Sequence, residues 1–266
     1  MMIASKADKL TWTLIFDPPL DGKLNMEIDQ AIIEIGASLL QSPLIRIYSV
    51  DRPTISIGLT QPISDLDHDY MLANDIALVR RPTGGRAIYH SSKDIIFSMA
   101  APISSYWFLN RSYFYLLAKR AIATAITDFG LKLDPDPDDD FFKKSGSCFT
   151  SRSKLELTCN NKKFTAISQR ERANVILQHG VILFSIDKDK YLKSLKFKDQ
   201  KLHAMAKDSI GSIDELSDKK INRADFLARF CYHFADLNKF ELKVASLKLI
   251  NTIRAASKLA KIDYGI

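Results

Sequence analysis

Strand-length apolar runs and two long amphipathic segments follow one another in this chain without regular alternation, and that irregular order restricts the fold more than any other feature. Leu10 to Phe16 reads as a strand, ended by the turn-forming run Pro18-Pro19-Leu20-Asp21-Gly22. After Asn25, a candidate cap, Ile28, Ile32, Ile35 and Leu39 recur at helical spacing up to Gln41. Leu44 to Val50 and Thr54 to Leu59 are extended runs joined across Asp51-Arg52-Pro53. In the second, Ile55, Ile57 and Leu59 alternate with small or polar residues, which predicts a half-buried strand. A short helix over Asp67 to Asn74 and strands over Ile76 to Arg80 and Ile95 to Ala100 follow. Leu117, Ile122, Ala125 and Phe129 mark a second amphipathic helix that starts near Arg111 and stops at Gly130. Leu155 to Cys159 and Lys163 to Ile167 flank Asn160-Asn161, a hairpin signal. Val175 to Leu177 and Val181 to Phe184 add strands around Gln178-His179-Gly180. Beyond Asp187 the chain turns lysine-rich and helical, and the residues after Ser212 predict a small cap of two or three helices. Without a repeating strand–helix alternation, an α+β domain on a mixed sheet is expected rather than a doubly wound fold.

A chain of 266 residues, 46% hydrophobic and 26% charged, is long enough for a large core, as one domain or one with a small appendage. Its apolar stretches fall short of the roughly 20 residues of a membrane span, and no leader-like region follows the N-terminal lysines. A soluble, cytoplasmic protein with no membrane partner is the expectation. Cys148, Cys159 and Cys231 make an odd number with no Cys-x-x-Cys pair, which suggests neither a disulfide framework nor a zinc site. The loop from Asp134 to Asp140 lacks the glycine and terminal glutamate of a calcium loop, so no metal is expected. A net charge of +7 favours an acidic partner. With no aromatic-rich basic strand or recognition helix in view, nucleic acid is not expected, and the lysines from Lys188 to Lys207 fit acidic protein partners better.

The chain has no phosphate-binding loop of the G-x-x-x-x-G-K-[ST] kind, no G-x-G-x-x-G after a strand and no His-Glu-x-x-His helix, which takes most of the support from kinase, simple dehydrogenase and zincin readings. The informative stretch is Arg80-Arg81-Pro82-Thr83-Gly84-Gly85-Arg86-Ala87-Ile88-Tyr89-His90. A strand feeding two glycines lets backbone approach a ligand where a side chain would collide, and exposed amides beside arginines suit a carboxylate, phosphate or thioester oxygen.

Arg80, Arg81, Gly84, Gly85, Arg86, Ala87 and His90 resemble the hallmark motif of the lipoate–protein ligase and octanoyltransferase family. The resemblance extends to Asn25-Met26-Glu27-Ile28-Asp29, to Arg46, Tyr48, Pro53, Ser56, Gly58 and Gln61, and to Gln178-His179-Gly180, covering about Leu10 to Asp187. It implies a mixed, largely antiparallel sheet flanked by helices and a catalytic domain over residues 1–211; the small helical C-terminal segment over 212–266 falls outside the resemblance and has no assigned role. Ser147-Cys148-Phe149, with Glu156 and Lys163 downstream, is similar to the octanoyltransferase branch, which implies Cys148 as nucleophile and Lys163 as its partner. Arg80, Gly84, Gly85, Arg86, His90 and His179 then become substrate-binding residues. A cation beside a thiol favours the thiolate and the oxyanion that its attack creates, so Cys148 and Lys163 are expected within about 6 Å of each other. Cys148 also lies in a polar Ser/Gly-rich segment flanked by Lys143 and Lys144.

The implied reaction takes octanoyl from an acyl-carrier-protein thioester to a lysine of a lipoyl-domain protein, such as the glycine cleavage H protein or a 2-oxoacid dehydrogenase E2, with no cofactor. The rival reading within the family is a lipoate–protein ligase that uses ATP and Mg, and a rival of another class is a non-catalytic lipoate- or carrier-binding protein. Two positions depart from the family pattern. Ser91 stands where an aspartate is usual and Ala166 where a glycine is usual, and a methyl at 166 narrows whatever passes there.

Overall fold

The computed structural model describes residues 9–104, 111–136, 147–150 and 156–259. Lys143 and Lys144, and the loop residues 137–140, lie outside the described residues. In chain order the elements are β1 (Thr11–Phe16), α1 (Gly22–Leu39), β2 (Leu44–Tyr48), β3 (Thr54–Ile57), α2 (His68–Ala73), β4 (Ala77–Arg80), β5 (Ile88–His90), β6 (Ile95–Pro102), α3 (Arg111–Asp128), β7 (Thr158–Cys159), β8 (Lys162–Lys163), β9 (Thr165–Arg172), β10 (Val175–Ile182), α4 (Lys188–Lys193), α5 (Gln200–Ser209), α6 (Ile213–Leu216), α7 (Arg223–Asn238), β11 (Glu241–Val244) and α8 (Leu247–Ser257).

Six strands form the main sheet in the order β11-β1-β2-β6-β10-β9. β11, β1 and β2 run parallel, and β2, β6, β10 and β9 pair antiparallel, so the sheet is mixed and largely antiparallel, as expected. A second sheet, β4-β3-β5, and the short β7-β8 hairpin complete the strands.

Both faces of the main sheet are covered, which makes β2, β6 and β10 buried throughout. On one face Ile45, Ile47, Phe97 and Met99 pack with Trp12 against α3 and α7, through Phe114, Leu117, Phe230 and Phe234. The other face carries α1, whose Ile28, Ile32 and Ile33 meet Leu44, Ala100 and Leu177. Beside α1 on this face lies the small sheet, packed on Ile96 and Val181. Successive residues of β2 and β6 alternate between the two layers because side chains leave a strand with a period of two.

The structure corrects the sequence reading at four points. Asp21, not Asn25, caps α1, its carboxylate accepting from the Lys23 and Leu24 amides at 2.9 and 3.3 Å. Asn25 is instead buried one turn in, where its amide donates to the Leu20 and Ser49 carbonyls. β3 is fully rather than half buried, because its two neighbours and the main sheet enclose it. Gln178-His179-Gly180 does not interrupt a strand: β10 runs straight through it, and Gly180 is needed because a Cβ there would lie 2.0 Å from the Phe97 ring. The segment after Ser212 adds three helices and also a strand, β11, that extends the main sheet, while α7 completes the core over α3.

Candidate active site

The small sheet ends where β4 enters the Pro82-to-Arg86 loop, and three devices hold that loop in place. Arg81 is buried and spreads its guanidinium over the Ser56 carbonyl (2.8 Å), the Gly84 carbonyl (2.6 Å) and the Arg86 carbonyl (2.9 Å). Gly85 has φ +96°, the left-handed region that favours glycine, and a Cβ on it would meet Arg81 at 2.7 Å. Gly58, on the turn after β3, lets the loop approach so closely that a Cβ there would lie 2.0 Å from the Gly85 carbonyl oxygen. Arg80 holds the neighbouring turn, donating from Nη1 to the Gly58, Leu59 and Gln61 carbonyls at 3.0, 3.1 and 2.8 Å. Arg86 is half-buried and reaches Asp65 at 3.4 Å.

Below this loop, between the small sheet and β10, runs a cleft of about 450 Å³, mouth included. Met26, Val50, Val79, Ile88, Ile96 and Val181 give it apolar walls, and Ala166 lines it too. Its polar groups include Arg81, His90, Ser168 and His179, with Asn25, Tyr48, Thr54 and Ser56. Ser168 is half-exposed where it lines the cleft, Thr54 and Gly22 are buried parts of the lining, and Gly84, half-exposed on the loop, is not part of it. The combination suits an unbranched acyl chain with a polar head at the rim.

His90 is buried, with Nε2 2.8 Å from Ser56 Oγ, and burial followed by the Arg81 charge pushes its pKa down to about 3. His179 lies on β10 facing α1. Its Nε2 donates to Asp29 at 2.9 Å, and its Nδ1 is 3.0 Å from the Thr83 hydroxyl, which is 2.8 Å from that of Ser168. Asp29 also accepts from Arg46 (3.0 Å), Tyr48 (2.8 Å) and Ser98 (2.7 Å). Burial alone would raise the Asp29 carboxyl, but the Arg46 guanidinium, His179 and the Ser98 hydroxyl together hold it at about 2.

Cys148 and Lys163 meet beside the cleft rather than in its wall. Cys148 opens a single helical turn pinned to the loop's exit strand, its amide donating to the Ala87 carbonyl at 3.2 Å. Tyr191 donates to the same carbonyl at 2.7 Å and is 2.8 Å from Ser147 Oγ, which accepts from the Phe149 amide at 3.1 Å. α5 packs over the turn. Lys163 is brought in by the β7-β8 hairpin, whose turn residues Asn160 and Asn161 both have positive φ. Its Nζ lies 3.7 Å from Cys148 Sγ, inside the expected 6 Å, donates to the Cys148 carbonyl at 3.1 Å and pairs with Glu156. Lys163 is 1% exposed. Burial lowers its pKa, but the charges of Cys148 and Glu156 outweigh that and raise it overall, so the ammonium is kept. The Arg81 guanidinium, lowered to about 10 by burial, is raised in turn by the charge of Cys148, which links the cleft to the thiol.

The structure therefore gathers Arg81, His90 and His179 around the cleft and places Cys148 with Lys163 next to it. Arg80, Gly84, Gly85 and Arg86 stay outside its lining. Sequence reasoning gave no role to Asp29, Thr83, Ser168 or Glu156. The one legible signal was Asn25 and Asp29, two polar residues a helical turn apart on the buried stripe of α1, a place that demands a buried partner. That partner is Arg46, which donates to both. Among the described residues no three His, Cys, Asp or Glu side chains group as a metal site would, and no helix is long and apolar enough to cross a membrane.

A model of the lipoyl protein ligase A/B catalytic domain matches residues 21–235. The chain is 28% identical over 234 residues to the octanoyltransferase LipM of Carboxydothermus hydrogenoformans, covering 85% of this chain and 86% of that protein. It is 30% identical over 202 residues to the octanoyltransferase LipM of Clostridioides difficile, covering 73% of each. Its fold matches that of a lipoate-protein ligase A bound with ATP, with a TM-score of 0.74 at 19% identity over 97% of this chain and 98% of that one. It also matches a putative lipoate protein ligase from T. acidophilum with bound lipoic acid, with a TM-score of 0.68 at 21% identity over 94% and 95% of the two chains. The family model takes in the Gly84-Gly85 loop, Cys148, Lys163 and His179, and the chain belongs to the lipoyl protein ligase A/B catalytic-domain family.

Proposed function

We propose that this chain is an octanoyltransferase of protein lipoylation, taking octanoyl from an acyl-carrier-protein thioester to a lysine of a lipoyl-domain protein through a thioester on Cys148. The observation that carries this reading is the buried Lys163 ammonium 3.7 Å from a half-buried thiol at the edge of an acyl-sized apolar cleft. The names of the two relatives, octanoyltransferase LipM, support it.

The Cys148 thiolate attacks the carrier thioester's carbonyl carbon. A new C–S bond forms, the old one breaks, and the carrier sulfur leaves as a thiolate, which takes a proton from the Lys163 ammonium. Lys163 places positive charge beside the sulfur and the tetrahedral oxyanion. Gly84, which has no atom within 4 Å of where a Cβ would stand, leaves room for the acyl head at the rim, while His90 and His179 border the chain. Arg80 and Arg86 shape the surroundings of the loop instead of touching the acyl group. The neutral amine of the acceptor lysine then attacks Cys148's thioester; as the C–N bond forms its proton passes to Lys163, and the Cys148 thiolate is released beside the restored ammonium. The acyl group arrives activated, so neither ATP nor a metal is required. The acceptor is a lipoyl domain such as that of the glycine cleavage H protein or a 2-oxoacid dehydrogenase E2.

Incubation with octanoyl-acyl carrier protein without ATP is expected to add one octanoyl mass to the chain, mapped to Cys148 by peptide sequencing and absent from Cys148→Ser. An unchanged intact mass, with lipoyl-domain modification appearing only when ATP and lipoate are supplied, would replace this reading by the ligase one. A chain that binds the lipoyl domain but modifies it under neither condition would be a binding protein.

A further inference from the structure

Two helices bear directly on the thiol and the ammonium. Tyr191 of α4 donates to the Ala87 carbonyl, which also accepts from the Cys148 amide. α5 packs over the Cys148 turn, and just past its end the Gly211 amide donates to the Lys163 carbonyl at 3.0 Å. The outer side of α4 and α5 is thus one helix layer away from both reacting groups.

That outer side is basic. From Lys188 to Ser209 the chain carries seven lysines against three aspartates. Lys188 pairs with Glu215, and Asp199 caps α5, its carboxylate accepting from the Leu202 amide at 2.8 Å. Lys193, Lys196, Lys198, Lys201 and Lys207 are exposed, and among the described residues none of them lies within ion-pair distance of a carboxylate. Clustered like charges repel one another and weaken the compact state, and an acidic partner relieves that repulsion while being drawn in by it.

We propose that α4 and α5 form the docking surface for the acyl carrier protein, whose acidic face meets Lys193, Lys196, Lys198, Lys201 and Lys207 while its thioester arm reaches Cys148. The docking rests on the acyl-enzyme reading above. Charge alone suits either protein substrate, and reach separates them. The outer side of α5 stands about 10 Å from the turn it covers, one helix diameter. A carrier holds its thioester on a long flexible arm that spans this distance. A lipoyl domain offers its amine on four methylenes and must come up to the cleft itself. The lysines therefore serve loading: they concentrate and orient the carrier, and Cys148 and Lys163 carry out the chemistry.

The test compares Lys193→Glu/Lys201→Glu with a control of equal charge change, Lys248→Glu/Lys258→Glu, at exposed positions on and just after α8, which packs on α1. Loading of Cys148 is followed by intact mass from octanoyl-acyl carrier protein and from octanoyl-pantetheine, a thioester with no protein attached. Single-turnover transfer from the loaded enzyme to a lipoyl domain is measured alongside. At low ionic strength the α4–α5 variant is expected to lose at least about tenfold in kcat/KM for the carrier, the lower end of electrostatic steering. The deficit narrows as added salt screens the charges. Loading from octanoyl-pantetheine and transfer to the lipoyl domain match the parent, and the α8 control matches it throughout. Carrier loading equal to the parent's, an equal loss with octanoyl-pantetheine, or an equal loss in the α8 control would overturn the docking surface. A deficit confined to transfer would overturn it as well and give the surface to the lipoyl domain. A parent chain that loads from neither donor overturns the acyl-enzyme reading itself, and the docking with it.

Discussion

Gly58 and Gly84 offer a paired test of whether the loop between β4 and β5 positions substrate. An alanine at 58 brings its Cβ to 2.0 Å from the Gly85 carbonyl oxygen and 2.9 Å from the Gly84 carbonyl carbon. Real contacts of this kind stop near 3.0 Å, so the loop must retreat by 1.0 Å or more. Overpacking of this sort costs about 1–3 kcal/mol, and a chain of this size then melts roughly 2–12 °C lower. The larger effect falls on catalysis, because a displacement of about 1 Å in a positioning element lowers rate about 100-fold. Gly84→Ala is the opposite case: its Cβ meets nothing within 4 Å and its φ is not left-handed, so the fold tolerates it. Loading of Cys148 should nonetheless fall at least about tenfold, because the methyl enters space reserved for the acyl head. Thermal melts and stopped-time intact mass on both variants provide the readout. A Gly58→Ala enzyme that loads within threefold of the parent despite a lowered melting temperature would refute the positioning argument, as would a fully active Gly84→Ala.

Lys163→Met, which removes the charge but keeps the stem, should slow loading by about 100- to 1,000-fold, the range for loss of one oxyanion-stabilising group. It should also destabilise the fold by up to a few kcal/mol, because Glu156 loses its buried partner; loading within threefold of the parent would remove Lys163 from the chemistry. Asp94 is fully buried, and burial, against hydrogen bonds from Ser91, Phe184 and Ser185, raises its pKa from 3.8 to about 7. A carboxyl that holds its proton more tightly when folded contributes stability that is complete below about pH 4 and lost as pH rises through 7. Urea unfolding should accordingly show a decline of a few kcal/mol between these limits, and Asp94→Asn should flatten it; an unchanged slope in that variant would assign the pH dependence elsewhere.

The elements legible in the sequence are those whose signals are local. α3 ends before Gly130 and the β7-β8 hairpin turns on Asn160-Asn161, as their residues require. The Cys148–Lys163 contact was legible only because a family resemblance supplied the register, since a lysine beside a hairpin turn otherwise reads as a solvated one. What failed depended on neighbours distant in sequence. Thr54 to Ile57 alternates like a half-exposed strand, yet β4 and β5 flank it, and its side chains are buried in a cluster with Ile96, Val181 and Ile210, which no local period can encode. The strand Glu241–Val244 is largely exposed at the sheet edge and carries little apolar signal; it forms because β1 offers it an unpaired backbone edge.

The polar residues of the site follow the same rule with a different outcome. Asp29 and His179 are 150 residues apart, and each alone has a bland reading, a helix carboxylate and a strand histidine. Burial changes this, because a buried carboxylate must be matched by donors or surrender its charge. Once Asn25 and Asp29 fall on the buried stripe of α1, the partners must come from the sheet beneath, and only inward-facing polar residues of central strands qualify. Arg46 on β2, Ser98 on β6 and His179 on β10 occupy adjacent strands at matching depth, with Arg46 opposite Ser98 and Ser98 opposite His179 in register. That row of polar side chains crosses an otherwise apolar sheet. It ends, through Thr83, at the loop that frames the cleft. A core of this size could bury apolar groups there at lower cost; the row instead ties α1 and the three central strands to the loop through one set of matched donors and acceptors, so removing a single member leaves its partners buried without a match.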